Sequence, residues 1–244
     1  KVQSEQAPFN PNSVSSKLTD DNSQLSVYYL QEALKMSKEK KWELANRYCE
    51  KAQNIAPNFS EIYKIKAFID AERGEYYGAI SNYDIALLKC QNDRAKAIIH
   101  YFFSIFYTIK MQELDYGLEH IEEADRLLPE TSEILLEKTR VYMYLGKYEE
   151  AEELLNKVDR MEKNPVLRTQ NIMASRYAEL FKRKAEILEA RDYLQKLEFY
   201  KKAIERLNNV KGLDIKSGVV LALVLSELSY LYHCEEAMQL LSDT

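Results

Sequence analysis

The residue pattern of this chain returns to itself thirty-four positions on. Ala33 is answered by Ala67, Ala45 by Ala79 and Ala52 by Ala86. The turn Gly74-Glu75-Tyr76-Tyr77-Gly78-Ala79 comes back as Gly146-Lys147-Tyr148-Glu149-Glu150-Ala151, seventy-two positions later. A period of about 34 with small residues at fixed places predicts stacked helix–turn–helix units, none of which buries its apolar face alone. A chain of this kind is built to present a surface.

Composition agrees with that reading. Of 244 residues, 46% are apolar, enough for one elongated array or two compact domains. Six Gly and five Pro are too few to punctuate many short strands, while Leu, Ala, Glu and Lys favour helix. A net charge of −5 without a prominent basic stretch argues against nucleic acid as a partner. The acidic run Glu149, Glu150, Glu152 and Glu153 reads as a solvated helix face. Cys49, Cys90 and Cys234 make no disulfide framework, so a reducing compartment, the cytoplasm, is expected. The longest apolar run, Val219 to Leu225, is far short of the ~20 residues that insertion across a bilayer takes.

Residues 1–25 are polar and hold Pro8, Pro11 and five serines, a composition expected of a tail or linker. The periodicity then predicts helix pairs at Leu25–Glu39 with Trp42–Ile55, Ser60–Arg73 with Tyr76–Lys89, Ala95–Met111 with Leu114–Leu127, and Ser132–Leu145 with Tyr148–Arg160. Ala86 and Ala124 are 38 apart; four extra residues add about one turn, so the faces stay in phase. After Pro165 the echo fades. A long helix at Val166–Arg191 and another at Tyr193–Asn208 form a degenerate unit, with Lys196 in a small-residue place and Ala203 in the next. An incomplete sixth unit spans Lys216–Thr244.

These residues resemble the tetratricopeptide repeats. Ala45, Ala79, Gly117 and Ala151 look like the family's small residue early in the second helix, and Ala52, Ala86 and Ala124 like the later one, with Val158 a larger substitute. Pro57 and Pro129 match the closing proline. The resemblance is good over residues 26–163, four units, and weak over 164–244, read as two degenerate repeats continuing the same array. It implies an all-α, right-handed superhelical solenoid of antiparallel helix pairs with about six units. Two helices approach to about 8–10 Å only where small side chains meet, so bulk at Ala79 or Ala151 should force a pair apart.

The resemblance also implies a non-catalytic protein-interaction module that takes a peptide or helix in a concave groove lined by the first helices of each pair. Some relatives grip an acidic C-terminus with a clamp of Lys, Asn and Arg; Leu30 and Leu34 stand where that clamp would begin, which argues against chaperone-tail binding. At 100° per residue, Ile99, Phe102, Phe106 and Ile109 form one stripe about 80° wide, expected to face the groove. Tyr101, Ser104, Ile105 and Thr108 fall on the face expected to meet the second helix. Neighbouring helices contribute Leu30 and Leu34, Lys64 and Phe68, and Leu136, Arg140 and Met143. The expected groove is apolar at its middle, with Lys64 and Arg140 as its cations. Three coverings compete for it: facing helices of a tight superhelix, the chain's own N-terminal tail through Pro8 and Phe9, or a protein or peptide partner.

No other chemistry stands out. His100 reads as a packing residue, and adjacent His233 and Cys234 point apart on a helix. The run Gly212 to Gly218 lacks phosphate-loop spacing and reads as a loop. Arg168, Arg176, Lys182, Arg183, Lys184 and Arg191 scatter over a broad arc, as a solvated face does. No catalytic, metal or cofactor site is assigned. A second reading, prompted by the start at Lys1 and the end at Thr244, makes the chain a sensor or scaffold segment of a larger multidomain signalling protein or enzyme.

Overall fold

The computed structural model describes residues 21–161, 167–188 and 192–208, and these hold helices and turns without strands. In order they are α1 Asp21–Lys38, α2 Trp42–Ile55, α3 Ser60–Arg73, α4 Tyr76–Lys89, α5 Asp93–Phe106 continued by a π-helical turn at Tyr107–Met111, α6 Leu114–Leu127, α7 Ser132–Tyr144, α8 Tyr148–Met161, α9 Leu167–Glu186 and α10 Tyr193–Asn208. The chain divides after Thr131 into two compact units, with α1–α6 in the first and α7–α10 in the second. The point where the sequence echo fades, Pro165, falls inside the second. The expected sixth repeat, including His233 and Cys234, and the expected tail up to residue 20 lie outside the described residues.

Within each unit consecutive helices pack in pairs: α1 on α2, α3 on α4 and α5 on α6, then α7 on α8 and α9 on α10. The pairs run antiparallel, since His100 meets His120 while the later Ser104 meets the earlier Gly117. Each second helix buries a narrow stripe at positions i, i+4 and i+7, which lie within one helical face. These are Ala45, Cys49 and Ala52 on α2, Ala79, Tyr83 and Ala86 on α4, Gly117, Ile121 and Ala124 on α6, and Ala151, Leu155 and Val158 on α8. The outer two places are small, apart from Val158, and the middle one varies. A contact that small lets backbones approach, which is why the echo is written in alanine. On α10 the same places hold Lys196, Tyr200 and Ala203, the last two buried.

First helices differ in kind. Helix α3 buries residues on every side, from Ile62 and Tyr63 to Ile65, Ala67 and Ile69, as a helix covered by neighbours on several flanks does. Ala33 and Ala67 are wholly enclosed. The pair turns share one backbone device: Lys40, Gly74, Gln112 and Gly146 all have positive φ, and they stand 34, 38 and 34 residues apart. Gly74 takes this conformation at no steric cost and caps α3, its N–H donating to Ala71 O. At the other first-unit connections the chain uses different closures. Asn92 Oδ1 accepts from the Ala95 N–H at 2.8 Å and starts α5, and the Tyr63 hydroxyl donates to Pro57 O at 3.1 Å.

The four extra residues of the third repeat enter the first helix of the pair. Helix α6 keeps the 14-residue length of α2, α4 and α8, while α5 gains the π turn. There α6 lies close against its partner: a Cβ built on Gly117 would lie 2.3 Å from Thr108 Oγ1. Ser104 Oγ donates to Gly117 O at 2.7 Å in the same buried seam. Ser104 and Thr108 thus face the second helix as their spacing predicts.

Candidate partner-binding surface

In the first unit the expected surface residues sort into two groups. Leu30, Ile99 and Phe106 are buried in the core; Phe106 is held by the rings of Tyr76 at 5.9 Å and Tyr83 at 5.8 Å. Leu34, Phe68 and Phe102 are half-buried, and Ile109 is exposed. The stripe Ile99–Phe102–Phe106–Ile109 is one face of a helical wheel, but neighbouring helices cover half of it. A wheel gives angles and cannot say where α4 ends. Leu34, Phe68 and Phe102 stand 34 residues apart on α1, α3 and α5, so the partly open positions form a ladder of equivalent places.

Lys64 is buried and ion-paired with Glu61 one turn before it, and its Nζ lies 5.1 Å above the Phe102 ring. The cation expected to face a partner is therefore largely occupied within its own helix bundle. Breaking such a buried pair strands the remaining charge. In the second unit Leu136 and Met143 are core residues, and Arg140 is buried against Glu137, its Nε donating at 3.0 Å.

Arg176 and Lys184 of α9 depart from the solvated face expected of them, while Arg191 lies outside the described residues. Arg176 is buried, with Glu179 3.6 Å away, and burial together with the Arg140 charge lowers its pKa. Lys184 reaches across to Glu152 of α8 at 2.5 Å. Helix α9 packs on α7, α8 and α10, so a broad arc of it is interior. On α8 the acidic run does lie outward, with Glu149, Glu150 and Glu153 exposed.

His100 and His120 form a feature that sequence inspection passed over. Their Nδ1 atoms are 2.9 Å apart across the α5–α6 seam. Searching one turn along the same helix misses this partner. Counting back four from Ser104 and forward three from Gly117 finds it. Among the described residues no group of three or more His, Cys, Asp or Glu is placed to hold a metal, and no helix is long and apolar enough to cross a membrane.

Known structures place this arrangement. PilF of Pseudomonas aeruginosa superposes with a TM-score of 0.60 over 92% of this chain and 100% of its own, at 18% identity. A chain of the APC/C hetero-tetramer Cut9–Hcn1 gives 0.60 over 86% of this chain and 37% of its own, also at 18% identity. A thermophilic TPR protein of Thermus thermophilus gives 0.53 over 82% and 98%, again at 18% identity. No family model and no curated protein matches by sequence. At such identity the common property is backbone architecture. The chain has the fold of the tetratricopeptide-repeat proteins.

Proposed function

We propose that this chain is a non-catalytic protein-interaction module that takes a peptide or helix of a partner on the inner helices α1, α3 and α5. The observation that carries the reading is the ladder Leu34, Phe68 and Phe102, extended by exposed Ile109. These residues are apolar and partly open at equivalent places on three successive first helices. Apolar anchors at equivalent places on successive helices suit an amphipathic helix or an extended peptide. That a solved neighbour sits in a hetero-tetramer is in keeping with such a role. Cys49 and Cys90 are free, and burial pushes the Cys49 thiol up to about 12, which fits an inert packing role in the reducing cytoplasm.

The test uses peptides selected by display on the immobilised chain. Phe68→Asp combined with Phe102→Asp should weaken their binding at least about tenfold, a loss of ~1.4 kcal/mol, with helical content near normal. Phe106 is avoided because it is a core residue. Tyr77→Ser, on the outward face of α4 where Tyr77 is 90% exposed, should leave affinity unchanged. Equal affinity for all three proteins would remove the inner face from consideration. Deleting residues 1–20 separates the two occupants: raised affinity assigns the face to the tail, unchanged affinity to the partner.

A further inference from the structure

A contact of 2.9 Å between two imidazole nitrogens holds one proton. His100 Nδ1 and His120 Nδ1 stand at that distance. With no proton between them two lone pairs would face each other, and with two protons two N–H groups would. One ring must therefore be the Nδ1–H tautomer, while the other offers a bare Nδ1 and carries its hydrogen on Nε2. The His120 ring does not swing aside readily. His120 is stacked on Phe103, centroids 4.2 Å apart and planes 20° apart, and lies parallel to Tyr107 at 5.5 Å and 14°. Tyr107 in turn stacks on Tyr116 at 5.2 Å, and Phe103 on Tyr83 of α4 at 4.6 Å.

We propose that His100 and His120 form a proton-gated latch on the α5–α6 pair, closed while a single proton lies between the rings and opened when both rings are protonated. The first added proton enters at the free Nε2 of the donor ring. It makes that ring an imidazolium and strengthens its Nδ1–H donation. The second can enter only at the accepting Nδ1, where it sets two cations and two N–H groups against each other.

The charges around the pair do little to prevent this. Glu123 and Glu119 of α6 favour the charged form of His100, while Arg126 of α6 and Lys96 of α5 oppose it. Glu123 is itself bound by Arg126 through two contacts, at 2.7 and 2.6 Å. On the α4 side, Asp84 acts on Tyr107. Burial lowers His100 and brings His120 down to about 4, with the neighbouring His100 adding to the shift.

The sign follows from the depressed folded value. An unfolded histidine titrates near 6.5, so between about 6.5 and about 4 the unfolded chain binds more protons than the folded one. The His120 contribution to stability is complete above that window and is lost as pH falls through it. Inside the window the folding equilibrium constant should drop by up to about tenfold per pH unit.

Two measurements on the full chain test the latch. Two-bond ¹H–¹⁵N spectra at neutral pH should show one of these rings as the Nδ1–H tautomer and the other as Nε2–H; two Nε2–H rings would overturn the proposal. Urea unfolding from pH 7.5 to 4 should show a steeper loss for the natural chain than for His100→Phe combined with His120→Phe, which keeps aromatic packing and removes titration. Parallel curves would overturn it as well. If the double variant does not fold, the tautomer spectra still decide.

Discussion

Replacing Phe103 by alanine is expected to lower the unfolding free energy by about 3–5 kcal/mol, the range for emptying a fully packed aromatic site. Phe103 is 2% exposed. Its ring stands between Tyr83 at 4.6 Å, Tyr107 at 4.8 Å and His120 at 4.2 Å, with Phe106 at 6.2 Å. Truncation thus removes burial and several ring contacts at once, each worth roughly 0.5–1.5 kcal/mol beyond the area buried. It also unclamps His120, so the tautomer pattern of the histidine pair should blur in the same variant. Phe103→Leu keeps most of the volume and should cost far less. Urea denaturation followed by circular dichroism reads both. A cost below about 1 kcal/mol for the alanine variant would mean that the ring cluster is not packed as described.

Gly117→Ala should destabilise by about 1–3 kcal/mol, because a methyl has nowhere to go. The new Cβ would lie 2.3 Å from Thr108 Oγ1 and 3.5 Å from Thr108 Cβ and N. Threonine is stiff at χ1, and this one sits buried on the π turn, so relief requires the helices to part. Thr108→Ala removes the clashing oxygen. The double variant should therefore recover much of the loss, giving a coupling of about 1 kcal/mol or more between the two sites. Gly78 makes an internal control: its nearest neighbour is the Asp70 carboxylate at 3.1 Å, the far end of a side chain that accepts from Asn82 at 2.8 Å and needs to yield by only a few tenths of an ångström. Alanine there should be neutral or slightly stabilising. Equal costs at Gly78 and Gly117 would contradict the tight contact of Gly117 with Thr108.

Much of this architecture was legible because one physical demand repeats. Where a second helix must lie close to its partner, its i and i+7 places must be small, and that requirement is written directly as Ala45 and Ala52, Ala79 and Ala86, and Gly117 and Ala124. The bounds of α2, α3, α4, α6 and α10 coincide with those read from spacing. Other features leave weaker marks. The left-handed turn residue is advertised where it is Gly74 or Gly146, but at Lys40 and Gln112 the same conformation is adopted by residues that carry no such signal. Helix α1 starts at Asp21, four residues before the apolar pattern does, since a polar first turn with an acidic residue is a sound helix start. The four extra residues were legible as one turn in phase, but the π turn at Tyr107–Met111 that takes them up carries no mark in the spacing.

The surface was less legible than the fold. Periodicity groups Phe102 with Phe106, yet the rings of Tyr76 and Tyr83 close over Phe106 and leave Phe102 partly open. Lys64 reads as a free cation until Glu61 is seen beside it, and Arg176 as a solvated one until α9 is found packed on three helices. The histidine pair depends on the register between α5 and α6, a relation between helices that no single helix records.

Small residues let the helix pairs nest, and unfolding free energies of a matched leucine series test this most directly. Ala45, Ala79, Ala124 and Ala151 are fully enclosed, whereas Ser81 on α4 and Glu153 on α8 are exposed on the same class of helix. Leucine at each of the four alanines should cost about 1–3 kcal/mol or more, and leucine at Ser81 or Glu153 should change stability by no more than about 0.5 kcal/mol. Enclosed and exposed positions that accept leucine equally well would contradict it.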